Sequence, residues 1–120
     1  MAARATAAEV LKLFGGSYPP GTDASNIGDL LDAADYHMDG YAKQFYGETL
    51  STTDTSIIYA ANITVAQLGA RIMWYQAGAG LSQTPQPPVL TDEVKFLIDA
   101  SLVDTTTAQF DTLDLIDEDV

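Results

Sequence analysis

The residues from Asp54 to Ala77 decide what this chain can fold into. Ile58, Ala61, Val65, Leu68, Ile72 and Tyr75 recur at alternating steps of three and four, while Ile57, Ile63, Ala66, Ala70, Met73 and Trp74 widen the apolar surface almost all the way round. Such a helix predicts burial by several partners. Asp54 or Thr55 can cap its start and the Gly78-Ala79-Gly80 run stops its end, giving a rod about 36 Å long at about 1.5 Å per residue. It is the only segment long enough to span a bilayer. Asn62, Gln67, Arg71 and Gln76 lie inside it, however, and an arginine near the centre of a span costs roughly 2.5 to 3.5 kcal/mol. The expectation is a soluble all-α protein, a small helical bundle around this one long central helix, with no membrane partner.

A chain of 120 residues has room for one domain, and 47% hydrophobic content is enough for a modest core without disulfides or metals. The absence of Cys removes disulfide frameworks, thiolate nucleophiles and cysteine zinc sites. Met1-Ala2-Ala3-Arg4 lacks the apolar core of a signal peptide, so export through a cleaved leader is not expected. Asp and Glu number 17 against 5 Lys and Arg, a formal net charge of -12. A surface of this kind repels phosphate instead of releasing its counterions, which argues against free nucleic acid as a ligand. Of the acids 13 are Asp, and the lysines are Lys12, Lys43 and Lys95 alone. That bias resembles proteins of extreme halophiles, where molar salt shortens the Debye length to about 3 Å and screens self-repulsion. An ordinary acidic protein is the plainer reading of the same surplus.

Taken in order, Thr6-Ala7-Ala8-Glu9 reads as a capping box opening a short helix, with Val10, Leu11, Leu13 and Phe14 on its apolar side and Gly15-Gly16 ending it. Ser17 to Thr22 carries two prolines and reads as a rigid connector. A second helix is expected from Asp23 or Ser25 to Phe45 or Tyr46. Its apolar face is Ile27, Leu30, Leu31, Ala34, Met38, Tyr41 and Phe45, its opposite face acidic through Asp29, Asp32, Asp35 and Asp39, and Asp39 can pair with Lys43 one turn on. Gly47 to Thr53 is a polar loop. After Ala77 the prolines at 85, 87 and 88 exclude regular helix, and Thr91 caps a last helix whose buried side is Val94, Leu97, Ile98 and Leu102. Residues 1–103 thus form the helical domain and 104–120 an extended C-terminal tail with six acids and no base. Phe110, Leu113, Leu115 and Ile116 are too apolar for a solubilising tail, and their short alternating spacing suits an extended segment laid along a partner.

The search for chemistry turns up little. Asp35, His37 and Asp39 are metal-ligand types, but residues two apart on a helix point about 200° away from each other, so the triplet cannot close on one ion. His37 has no serine or cysteine motif to activate. No glycine-rich phosphate loop precedes a helix, because Gly78 and Gly80 follow one. No metal, cofactor or enzymatic activity is expected. Arg71 stands out in the most apolar helix, either crossing a subunit interface or snorkelling to Asp35 or Asp39. Trp74 and Tyr75 beside it read as core or as subunit contact.

The order of these elements carries a resemblance. A short capped helix, a proline turn, an acidic amphipathic helix, a long helix containing Ala60-Ala61-Asn62 and Arg71-Ile72-Met73-Trp74, then Leu90-Thr91-Asp92-Glu93-Val94 and a tail, resembles the head-tail connector (adaptor) proteins of tailed viruses over most of residues 5–103. The aspartate bias adds the suggestion of a virus infecting haloarchaea. The resemblance implies a structural virion neck protein, made in the host cytoplasm. Twelve helical subunits would form a ring beneath the portal protein, through which DNA passes without specific binding. It further implies a C-terminal arm, here Phe110, Leu113, Leu115 and Ile116, that reaches the portal or the next neck or tail protein. The strongly acidic tail departs from that pattern. The alternative from another class is a small acidic inhibitor that mimics DNA and occupies the basic cleft of a host nucleic-acid-binding protein.

Overall fold

The computed structural model describes residues 3–78 and 85–102, and their regular structure is entirely helical: α1 (Ala7–Leu13), α2 (Ile27–Tyr46), α3 (Thr55–Gln76) and α4 (92–102). The expected arm at 104–120 lies outside the described residues. No described helix is long and apolar enough to cross a membrane.

Each helix begins or ends where local side-chain chemistry dictates. Thr6 Oγ1 accepts from Glu9 N–H at 3.1 Å while Glu9 Oε1 accepts from Thr6 N–H at 3.0 Å, so the capping box is complete. Gly15 and Gly16 have φ of 77° and 91°, and Gly16 N–H closes a 2.7 Å bond back to Leu11 O in the six-to-one pattern of a Schellman stop. Asp54 caps α3 by accepting from Ser56 N–H, and Thr91 caps α4 by accepting from Val94 N–H. The second helix starts later than its periodicity predicts. Asp23 folds back on itself, its carboxylate accepting from Ser25 and from the Asn26 N–H, and that turn takes up residues 23–26 before the helix begins.

Helices α2 and α3 run antiparallel, and their seam is the core. Met38 and Ala42 from the end of α2 meet Ile57, Ala60 and Ala61 from the start of α3, with Val94, Ile98 and Leu102 of α4, Leu50 of the loop and Ala5 closing the cluster. A second cluster lies one step along, where Ile27 and Ala34 meet Val65 of α3 and Val10 of α1. Leu31 packs against both. The expected apolar faces hold for α4 and most of α2, with two corrections. Phe45 is 61% exposed although it lies on the stripe of Ala34, Met38 and Tyr41, because at this end of α2 its ring has only Tyr41 to pack on. Of the α1 set only Val10 is fully buried, and Leu13 and Phe14 face solvent.

The connector between α1 and α2 presses directly on α3. Thr22 N–H donates to Pro19 O at 3.0 Å, with Pro20 and Gly21 (φ 84°) between them, the signature of a type II turn. A side chain at Gly21 would land 1.9 Å from Gly69 O, and one at Gly69 would land 2.5 Å from Pro20 O. Two backbones therefore touch here because neither position carries a Cβ.

Candidate assembly surface

At the C-terminal end of α3, past Gly69, lie the three residues that sequence reasoning assigned to a subunit contact. Arg71 is half-buried, and its Nη1 donates to Pro87 O at 2.8 Å. It reaches neither Asp35 nor Asp39, so the snorkelling expectation is corrected: the proline segment, which supplies carbonyls that no helix has used, is its partner. Tyr75 is 62% exposed and its hydroxyl accepts from Gln86 Nε2 at 2.6 Å. Trp74 is half-buried and meets the Tyr75 ring edge-on at 5.0 Å. Met73 is 47% exposed. The structure thus brings Arg71 and Tyr75 together with the 85–88 segment and leaves Met73 and Tyr75 exposed on different sides of the end of α3. Phe110, Leu113, Leu115 and Ile116 fall outside the described residues.

Other exposed aromatic residues sit around the seam of α2 and α4. Asp99 of α4 accepts from both Tyr41 Oη (2.9 Å) and Tyr46 Oη (2.8 Å) of α2. Burial, together with the hydrogen bond and the charge of Asp99, pushes the Tyr41 phenol up to about 12. The Tyr46 phenol is also raised, first by its bond to Asp99. Phe45 rests on the Tyr41 ring at 4.8 Å, and Phe96, one turn before Asp99 on α4, is 67% exposed. A polar hub thus pins α4 to α2, and Phe45 and Phe96 are each exposed to solvent. Sequence reasoning placed Phe45 inside and did not single out Phe96; the signal for Phe96 was its position two residues from each of the core positions Val94 and Ile98.

The acidic face of α2 is not wholly a solvated face. Arg4 has a nearly buried side chain, 5% exposed, whose Nη1 lies 3.2 Å from Asp35 Oδ1 and whose Nη2 donates to Asp39 Oδ1 at 2.8 Å. Its other donors go to the carbonyls of Leu50 and Ser51, and its backbone N–H goes to Asp35 Oδ2. Burial pushes the guanidinium down, but the bonds and charges of Asp39 and Asp35 outweigh it and hold Arg4 above its ordinary range. Asp39 is thus taken by Arg4 instead of Lys43. Asp29 and Asp32 remain exposed.

His37 is half-buried and packs edge-on against Tyr36 at 5.6 Å, in a shallow depression of about 690 Å³ that Asp39, Lys43 and Glu48 also line. Among the described residues no three His, Cys, Asp or Glu side chains group so as to hold a metal ion. The chain matches no protein-family model, no curated protein and no solved structure.

Proposed function

We propose that this chain is a structural, non-enzymatic assembly subunit, and that the assembly is a head-tail adaptor ring in the neck of a tailed virion. The observation that carries the reading is the exposure of large apolar side chains at both ends of one helical scaffold. Phe45 and Phe96 are exposed toward one end, Met73 and Tyr75 at the other. The separation between them, some 20 residues of helix, is about 30 Å. A closed ring built head to tail requires such a pair, because each subunit must offer one surface to the neighbour ahead and a different one to the neighbour behind. A two-fold dimer would need only one.

The charge fits a passive conduit. Asp29 and Asp32 are exposed on α2 and the whole chain carries -12, so a channel lined by such faces repels the phosphates of passing DNA. The neck reading assigns the portal protein and the next neck or tail protein to the two open ends of the ring, and the 104–120 arm to one of those contacts. The aspartate surplus assigns the virus to a high-salt host, where screening lets acidic subunits pack side by side.

Native mass and sedimentation measurements in molar potassium chloride test the arrangement. The unaltered chain is expected to form a closed oligomer. Phe96→Ser and the double change Met73→Ser with Tyr75→Ser should each give monomers, and a mixture of the two variants should give capped heterodimers, since each keeps the face that the other has lost. An unaltered chain that stays monomeric at high concentration, or variants that assemble normally, would overturn the proposal. A monomer that instead captures a basic nucleic-acid-binding protein would favour the DNA-mimic reading.

A further inference from the structure

Gly40 has no use within one subunit. It stands in the middle of α2, where glycine weakens a helix relative to alanine, yet its φ is not left-handed and a Cβ built on it would meet nothing within 4 Å. Tyr36 and His37 lie one turn before it on the same face, and all three line the shallow depression of about 690 Å³ together with Tyr41 and Leu90. Tyr36 is 76% exposed. A glycine among aromatic rings leaves a place where another backbone can come close.

The segment before α4 has the matching shape. Pro87 and Pro88 confine the residues before them, Gln86 and Pro87, to extended backbone, and each proline ring holds its own φ at about −65°. That is a turn of polyproline II, which repeats about every three residues and so sets Pro85 and Pro88 on one edge. The burial agrees, since Pro85 and Pro88 are exposed while Pro87 is half-buried. Arg71 Nη1 donates to Pro87 O and Gln86 Nε2 donates to Tyr75 Oη, so α3 holds the segment with that edge outward. Much of the entropy of ordering it is already lost before any partner arrives.

Exposed proline edges of this kind dock between aromatic side chains. We propose that the depression around Gly40 receives the proline edge of 85–88 from a second copy of this chain. Two chains of -12 repel each other, so they can join only where acids are absent or answered. No charged residue lies between Arg71 and Asp92. In the depression Asp39 is held by Arg4, Lys43 offsets Glu48, and Asp99 beyond Tyr41 is bonded by two phenols. The contact deepens the assembly reading and rests on it. Tyr75 carries the proline segment at one end of the scaffold, and Tyr41, whose ring meets Phe45 at 4.8 Å, lines the depression toward the other.

A blocked hexapeptide of residues 85–90 tests the contact when titrated into the full chain carrying Pro85→Ala with Pro88→Ala, in which no proline edge of another copy competes. His37 is the one histidine of the chain, so its imidazole signals report on the depression directly. The peptide should shift them saturably, along with the amides of Tyr36 and Gly40, and bind at least about tenfold more tightly than its Pro85→Ala, Pro88→Ala counterpart. Gly40→Leu should abolish both peptide binding and assembly while the melting temperature of the monomer does not fall, since leucine is the better helix former. Equal affinities for the two peptides, or shifts that miss the depression, would overturn the contact whether or not the Gly40→Leu chain folds. A folded Gly40→Leu chain that assembles normally would overturn the second copy as the occupant. Native mass separates this contact from the ring: peptide binding by a chain that forms only dimers would sustain the contact and overturn the ring.

Discussion

The two halves of α3 are almost equally apolar in sequence and opposite in fate. From Thr55 to Gly69 the helix is covered: Ile57, Ala60 and Val65 are all fully buried under α2, α4 and α1. From Ala70 to Gln76 no described helix lies over it, and Met73 and Tyr75 stand out in solvent with the 85–88 segment tied alongside by Arg71 and Tyr75. The boundary has a physical cause. Helix α2 reaches back only as far as Ile27, and the turn that feeds it crosses α3 at Gly69, so the later turns of α3 outrun their cover. Hydrophobicity marks what could be buried; the length of the neighbouring element decides what is.

The sharpest way to break this comparison is a matched pair of truncations. Ile57→Ala should destabilise the isolated chain by about 2 to 5 kcal/mol, since it empties a fully buried site, whereas Met73→Ala should change it by less than about 0.5 kcal/mol. Chemical denaturation in which the two cost the same would show that the far half is covered in solution.

A slightly smaller effect is expected from Arg4→Met at the covered end. The change leaves the largely buried Asp35 carboxylate without its counter-charge and frees the Leu50 and Ser51 carbonyls, for a loss of about 3 kcal/mol. That is the low end for a broken buried pair, because Asp39 is 46% exposed and water can replace its half of the clasp. Adding Asp35→Leu to Arg4→Met should recover part of the loss. A double variant no better than the single one would show that the carbonyl contacts, and not the charge pair, hold the covered end.

The smallest expected effect is alkaline. The folded Tyr41 phenol titrates at about 12 against about 10 for a free tyrosine, so the folded state holds its proton more tightly. The resulting stability is fully present below about pH 10 and is lost as pH rises from about 10 through about 12. Thermal melts across that window should fall, and Asp99→Asn, which removes the carboxylate facing both phenols, should flatten the fall. A chain whose melting is indifferent to pH there would place the α2–α4 seam outside the cooperative core.

What the sequence shows plainly is whatever neighbouring residues settle between themselves. The Thr6–Glu9 box, the Gly15-Gly16 stop and the caps at Asp54 and Thr91 are interactions across a few residues, and each is where its motif predicts. The late start of α2 is a competition at the same range, with the Asp23 turn winning over helical periodicity. Arg4 and Asp35 are 31 residues apart, and no periodicity links a basic residue before α1 to an acidic stripe on α2. The same limit hides the exposure of Phe45 and of the α3 end, because a hydrophobic period gives the direction of a face but not whether another element will lie on it. The exposed residues that support the assembly reading were therefore only partly legible: Tyr75 from its position on α3, Phe96 only through its spacing from Val94 and Ile98.

The crossing of Gly21 and Gly69 couples two distant codons. Each position is held at glycine by the backbone of the other, and a methyl group at either fills the space that both share. Substitutions there are consequently non-additive: once one has pushed the turn off the helix, the second has little contact left to destroy. In a library of random variants the pair would emerge as strongly epistatic although neither residue has a side chain, a mutational signature of close backbone approach that contact analyses based on side chains would overlook.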